Sequence, residues 1–290
     1  MFSIIVSSRN RPELIIRCLE SLAKQVNSYY EVVVVDQGDF PASIPDDPRF
    51  RCVVDQKRGL AAGRNAGVRA AVGSVLIFID DDAQAGAGYL AAIEKVFNED
   101  PRLAALAGRI LTLEDGQPYT RVHGSENRFL SCRDWPRFMG GNFAVRREVI
   151  ADIGPFDERF GVGRRWASGE ETDFFFRMLY RRYRVAYVPA AVVRHPKEKL
   201  ENVSFEQRFK LFAYARGQGA LFAHHIIYYR KIRLVVTLAW WVTKPFIRML
   251  QYFFTLQLHR GLLHGAIALG KCAGFFEYFY MLFRELITGW

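Results

Sequence analysis

The sequence predicts an α/β domain, a mixed and mainly parallel sheet flanked by helices, followed by a basic, aromatic helical segment. Three observations predict it. Short β-branched runs alternate with stretches of helical period through the first 80 residues, polar clusters close those runs, and the charge changes character after residue 196. Such an order gives right-handed crossovers, and ligands then bind beyond the carboxyl ends of the strands.

Phe2 to Ser7 (FSIIVS) and Glu31 to Asp36 (EVVVVD) are too short for helices and apolar on both faces, as strands inside a parallel sheet are. Between them Pro12 to Gln25 reads as a helix. Proline is tolerated at the first helical position, and Leu14, Ile15, Cys18, Leu19 and Leu22 recur on one face. The pattern repeats with a strand at Arg51 to Val54, a helix from Leu60 to Val72 and a strand at Ser74 to Ile79. Beyond Leu103 the regularity weakens. A strand near Phe138 to Val145, helices at Arg146 to Ile153 and Gly169 to Tyr183, and a strand at Val185 to Val188 are expected. Gly154 to Ser168, rich in glycine, charge and aromatics without a period, reads as a mobile loop. The α/β domain is therefore expected over residues 1–200 and the helical region over 201–290.

Of the formal charge of +10, residues 197–290 contribute +8, from 13 Lys and Arg against 5 Asp and Glu. That excess points to an anionic surface. Residues 228–290 also hold 15 Phe, Tyr or Trp in long apolar runs, whereas a nucleic-acid binder would show basic residues dominating; RNA is therefore the weaker reading. Lys244, Pro245 and Arg248 interrupt the first run, and Lys271 and Glu277 the second, where spanning a bilayer takes about 20 mainly apolar residues. Two helices lying in the headgroup layer fit better. Arg233, Thr237, Lys244, Arg248, Gln251 and Thr255 share one helical face, and His264, Lys271, Tyr278 and Glu285 form a second polar line. Gly261/Gly265 and Gly270/Gly274 are small pairs that let helices approach closely. A soluble appendage, a dimer interface or a hairpin through the bilayer is the alternative, and the oligomeric state is left open. Anionic lipid is the expected partner of this segment.

The cysteines, Cys18, Cys52, Cys132 and Cys272, show no CxxC pairing, which suits neither a zinc site nor a disulfide framework and predicts a reducing compartment. Met1 to Ser8 runs into an apolar strand without a basic region or a small-residue cleavage site, so a signal peptide is not expected. The expected location is the cytoplasmic face of the cell membrane.

Asp80, Asp81 and Asp82 follow directly on the strand VLIFI, where adjacent carboxylates repel one another unless a cation or polar partners compensate. Carboxylate oxygens suit a hard ion, Mn²⁺ or Mg²⁺. A solvated acidic turn is the plain alternative. Gly59 to Asn65 (GLAAGRN) sets glycines and Arg64 at a helix start, where phosphate is favoured; close packing of helix on sheet is the rival explanation. Asp36 is an acceptor for a base ring or a turn cap. Glu170, Glu171 and Asp173 begin a helix whose dipole favours acids, and one of them is a candidate general base.

In order along the chain, IIVSSRNRPE, VVVVDQGD, GLAAGRNAG, IFIDDD, GGNFAVRREV, FDERFG and GEETDFFFR resemble the family 2 glycosyltransferases of the GT-A fold, over about residues 1–196. The resemblance implies an inverting transfer from a nucleoside-diphosphate sugar, with a divalent metal, Mn²⁺ or Mg²⁺, offsetting leaving-group charge. By position it implies that Ser7, Arg9 and Asp36 contact the base, Arg64 and Asn65 the diphosphate, and Asp80 the ribose. Asp82 would bind the metal with Asp81 beside it, and His195 would be a further metal ligand or a satisfied loop residue. Gly140, Gly141 and Asn142 would lie against the donor sugar, and the acceptor would enter past Arg164, Arg165 and Trp166. Glu171 stands where the family usually has Asp. It is the expected base, with Glu170 or Asp173 as substitutes. The expected reaction moves one sugar, UDP-linked donors favoured, to a hydroxyl of a lipid-linked or cell-surface glycan. The alternative is a non-catalytic relative that binds nucleotide-sugar or glycan.

Overall fold

A computed structural model of the chain describes residues 1–26, 29–197 and 204–288. The sheet grows from runs with no polar face. β2 (Tyr30–Asp36) and β4 (Val75–Ile79) are buried along their whole length, and β1 (Phe2–Ser8) nearly so. These strands pair in parallel, and β3 (Phe50–Val54) adds in parallel to β2 with the alternating burial of an edge strand. Helix α1 (Pro12–Ala23) has its proline in the first turn and buries Ile15, Cys18, Leu19 and Leu22. α2 (Leu60–Ala70) lies tightly on β1: a Cβ on Gly63 would stand 2.8 Å from Ser7 Oγ, and one on Gly67 would collide with Ile5 Cγ2. Close packing therefore accounts for these glycines.

The remaining sheet strands are β5 (Gln84–Ala85), β6 (Leu103–Thr112), β7 (Arg128–Phe129), β8 (Asn142–Arg146) and β9 (Arg184–His195). Their order is β3-β2-β1-β4-β8-β6-β9-β5, with β7 pairing separately with β9. β8 runs antiparallel between β4 and β6, and the two longest pairings, β6 with β9 and β1 with β2, are parallel. The result is a mixed sheet flanked by helices, including α3 (Tyr89–Glu99) and α4 (Arg147–Ile153).

The departures from expectation have local causes. β9 continues past Val188 through Pro189, which has no N–H to donate, and the register jumps there from Gly108↔Val188 to Arg109↔Val192. β8 starts only at Asn142, because a short 3-10 helix (Cys132–Arg137) and the Gly140–Gly141 pair precede it. The mobile loop expected at Gly154 to Ser168 is corrected: Phe160 and Trp166 within it are 0% and 2% exposed.

The chain forms two compact units, Met1–Asp157 with Phe174–Glu198, and Glu158–Asp173 with Lys199–Trp290. The domain boundary expected at residue 200 lies outside the described residues. The first unit holds the sheet. The second holds α6 (Phe205–Ile227), α7 (Leu234–Phe254) and α8 (Leu258–Thr288), and α5 (Glu170–Tyr180) has its first residues, to Asp173, in this helical unit.

Ser204 and Gln207 close a capping box at the start of α6. Small residues then set the helix spacing. A Cβ on Gly219 would strike the carbonyl of Lys271, and one on Gly274 the carbonyl of Arg216, so α6 and α8 cross at backbone contact. Gly261 and Gly265 face Phe253 and Met249 of α7 at looser, mainly side-chain contacts of 3.0–3.4 Å. The expected polar line on α8 is corrected, since Lys271 and Tyr278 are buried. Lys271 Nζ donates to the carbonyl of Trp241 at 3.0 Å and stands 4.4 Å over its ring. On α7 the expected polar face is outward, with Arg233, Lys244, Arg248, Gln251 and Thr255 exposed. Among the described residues one helix, Leu258–Glu285 of α8, is long and apolar enough to cross a membrane by length and composition, with mean hydropathy 1.2.

Candidate functional site

β4 ends in Asp80, Asp81 and Asp82, and the turn that follows closes with Ala83 N donating to Asp80 O at 3.0 Å. The three carboxylates do not act as one group. Asp81 accepts from Ser8 Oγ at 2.7 Å and from Arg11 Nη1 at 3.0 Å. Asp80 and Asp82 form a cluster with His195 from the end of β9, their ligand atoms all within 4.8 Å of one another. His195 Nε2 lies 3.0 Å from Asp82 Oδ1, and its Nδ1 bonds the carbonyl of Pro196 at 2.7 Å. That outer bond turns Nε2 inward, which is how a ligating imidazole is usually oriented.

Electrostatics separate the two neighbouring acids. Burial raises Asp81 above the usual carboxylate range, and the bonds from Ser8 and Arg11 only partly offset it. Burial also acts upward on Asp82, but the hydrogen bond and charge of His195, with Arg11, bring it below its ordinary value. Burial opposes charge on His195 as well, yet Asp82 and Asp80 outweigh it and push the imidazole up to about 9. Arg11, Arg64 and His195 thus face the three carboxylates. A divalent ion entering between two carboxylates and one imidazole would displace the His195 proton. The donor set fits such an ion, because three protein ligands leave positions for phosphate oxygens.

Arg64 shares this corner. Its guanidinium, 4% exposed, lies 5.8 Å from the centroids of Phe143 and Phe156, 3.0 Å from Gly140 O and 3.4 Å from Asp80 Oδ1. Gly140 and Gly141 make room for it and for Asp80: a Cβ on either would come 2.5 Å from Arg64 Nη2 or 2.7 Å from Asp80 Oδ2. The floor beneath is aromatic, with Phe78 stacked on Phe143, Phe138 on Phe175 and Phe156 on Phe174.

Several residues expected at the donor have structural partners. Asn65 exchanges two hydrogen bonds with the backbone of Phe156. Asn142 donates to the carbonyls of Arg109 and Ala191 and accepts from Tyr89 Oη, which fixes β8 within the core. Asp36 accepts from the backbone N–H of Gly38 and of Ala42, the turn-cap arrangement. Ser7 lies beneath Gly63, and Arg9 is exposed at the end of β1.

The other acids belong to the helical unit. Glu170 packs against Gly161, whose φ of +101° only glycine adopts readily, and Asp173 Oδ1 lies 3.2 Å from His225 Nε2. Both acids are buried, whereas Glu171, about 100° around the helix from Glu170, is half-buried. In the expected acceptor loop, Trp166 is buried under Arg165 and Arg216, Arg165 is mostly exposed, and Arg164 lies 3.7 Å from Glu158. Ser8, Arg11 and His225 were not singled out from the sequence. Arg11 carries a recognisable signal, a cation directly before the first-turn proline of α1.

A glycosyl transferase family 2 model matches residues 3–154, just over half of the chain. The chain belongs to glycosyl transferase family 2. A pre-mycofactocin glycosyltransferase of Mycobacterium tuberculosis is 28% identical over 211 residues, 67% of this chain and 42% of the relative, so the chain spans less than half the length of that protein. A Campylobacter jejuni GalNAc(5)-diNAcBac-PP-undecaprenol beta-1,3-glucosyltransferase is 26% identical over 200 residues, 63% of this chain and 64% of the relative. Among solved structures, mannosyltransferase PcManGT from Pyrobaculum calidifontis, in complex with GDP-Man and Mn²⁺, superposes with a TM-score of 0.62 at 18% identity, over 93% of this chain and 86% of that one. The likeness is one of fold, GT-A.

Proposed function

We propose that this glycosyltransferase moves one sugar from a nucleoside-diphosphate donor to a hydroxyl of a lipid-linked or cell-surface glycan, in one inverting step at a membrane surface. The reading rests on the convergence of Asp80, Asp82 and His195 at the end of the sheet. When bound there, Mn²⁺ or Mg²⁺ supplies charge compensation for the departing diphosphate. The chain's own groups do the rest. Arg64 holds Asp80 in place from the aromatic floor, Arg11 and Ser8 hold Asp81, and one acid of the Glu170–Asp173 turn takes the acceptor proton. Glu171 is the assigned base, because Glu170 and Asp173 are buried.

The acceptor class draws on the undecaprenol-linked acceptor named for the Campylobacter relative. It also draws on the exposed apolar side chains of α7 and α8, among them Trp240, Phe246, Phe254, Leu269, Phe276 and Phe283. The test is transfer from radiolabelled UDP-, GDP- and dTDP-sugars to a membrane lipid extract, with Mn²⁺ and with chelator. Metal-dependent label in the lipid or glycan fraction from one donor is expected. Donor binding without transfer or hydrolysis would favour a binding protein built on the same fold.

A further inference from the structure

The candidate base is carried by a segment that belongs to the helical unit, and that segment is anchored at several points to side chains and carbonyls of α6 and α8. Arg159 Nη1 donates to Tyr278 Oη at 3.1 Å, and Tyr278 Oη bonds His224 Nδ1 at 2.9 Å. Phe160 and Trp166 enter one apolar cluster with Ala220, Leu221, Ala223 and Tyr278. Ser168 Oγ donates to Tyr214 O at 2.7 Å, and Gly217 leaves space for Ser168. Gly169, at φ +105°, lies against Leu221. The last anchor is the contact of Asp173 with His225, whose side chains are 1% and 0% exposed.

Tyr214, Gly217, Leu221, His224 and His225 recur at helical spacing, so one stripe of α6 holds the segment from Ser168 to Asp173. The opposite stripe, with Ala215, Arg216 and Gly219, meets Gly270, Lys271 and Gly274 of α8. His225 itself is fixed by stacking on Tyr229, with ring centroids 5.0 Å apart, and by an edge contact with His224. Glu170 and Asp173 are three apart and face the same way, and holding both fixes the rotation of the first turn of α5. Glu171 is then the acid the turn presents.

We infer that His225 is a positioning residue: by holding Asp173 it sets the orientation of Glu171, and the C-terminal helices are part of the catalytic apparatus rather than only a membrane tether. This rests on the proposed transfer reaction for its activity readout, but not for its physical readout.

The experiment compares full-length wild type, His225→Ala and His225→Gln. Gln keeps an N–H donor near the position of Nε2. Three quantities are measured: steady-state transfer, nucleotide binding by calorimetry, and hydrogen exchange of peptides covering 158–175. For His225→Ala we expect kcat to fall roughly 10²-fold, as a misplaced catalytic group does, while nucleotide affinity and exchange across β1, β2 and β4 stay as in wild type. Exchange in 168–173 should rise, and His225→Gln should recover most of kcat and of the protection. Unchanged exchange at 168–173 in His225→Ala overturns the inference, as does a loss of nucleotide affinity parallel to the loss of kcat, which would mark general destabilisation. If wild type transfers nothing, the transfer reading falls, and the exchange measurement alone decides whether His225 holds the turn.

Discussion

The two acidic clusters of this molecule are stabilised in opposite ways. At the end of β4, carboxylates gather among cations, with Arg11, Arg64 and His195 facing Asp80, Asp81 and Asp82 across polar contacts of about 3 Å. At the start of α5, Glu170 is buried against Gly161 and Asp173 against His225 of the helical unit, whereas Glu171 is half-buried. A cluster balanced by charge can exchange one cation for another. A cluster fixed by packing cannot, but it can hold one side chain at a set angle. The first arrangement suits binding of a metal and diphosphate, and the second suits proton transfer, which depends on geometry.

The sharpest way to break this contrast is Glu171→Gln. If the packed cluster serves turnover, kcat should fall roughly 10²–10⁴-fold, the usual contribution of a general base, while calorimetric nucleotide affinity is kept. Restoration by Glu171→Asp would extend the point. Loss of nucleotide binding in Glu171→Gln would merge the two clusters into one function.

A second pair of changes compares what holds each unit together. Gly274→Ala places a methyl against the carbonyl of Arg216, where helices already touch. The expected cost is about 1–3 kcal/mol of overpacking, read as a lower Tm and raised hydrogen exchange in α6 and α8. In the sheet unit, buried Glu31 accepts from Ser3 Oγ, Val72 N and Arg51 Nε. Burial acts to raise its pKa, but those donors outweigh it and hold the carboxyl below its ordinary value. Because the folded value lies below the unfolded one, this stabilisation is present above about pH 4.5 and is lost as pH falls through the folded value. Glu31→Gln should cost about 1–3 kcal/mol at pH 7, the range for disturbing a buried bonded group. Its gap from wild type in urea melts should narrow below pH 4.5, and a gap independent of pH would contradict the assignment.

The smallest effect concerns the outer surface of the helical unit. Replacing exposed Trp240 and Phe276 together by Ser should weaken partitioning to anionic vesicles about tenfold or more, given about 1.5–3 kcal/mol for burying a large apolar side chain, with nucleotide affinity intact. Unchanged partitioning would favour a soluble appendage.

Much of the sheet unit was legible because β1, β2 and β4 are buried on both faces and centred on unbroken apolar runs, so the strands and the acids beyond them announce themselves. The helical unit was less so. Nothing in the spacing of Lys271 and Tyr278 distinguishes a polar line toward water from one buried against α6; the glycines that bring the helices to backbone contact decide it. The glycines of α2 are ambiguous in the sequence, since a phosphate loop and a close-packed helix ask for the same residue. Asn65 and Asn142 are polar beside glycine in the sequence, and the carbonyls they meet are visible only in the structure.

The account turns most directly on calorimetry of UDP, GDP and dTDP binding, with and without Mn²⁺, to wild type and Asp82→Ala. It predicts metal-dependent binding of one nucleotide to wild type and its loss in Asp82→Ala. Binding that is indifferent to metal, or that survives Asp82→Ala unchanged, would contradict a metal-assisted donor site at the end of β4.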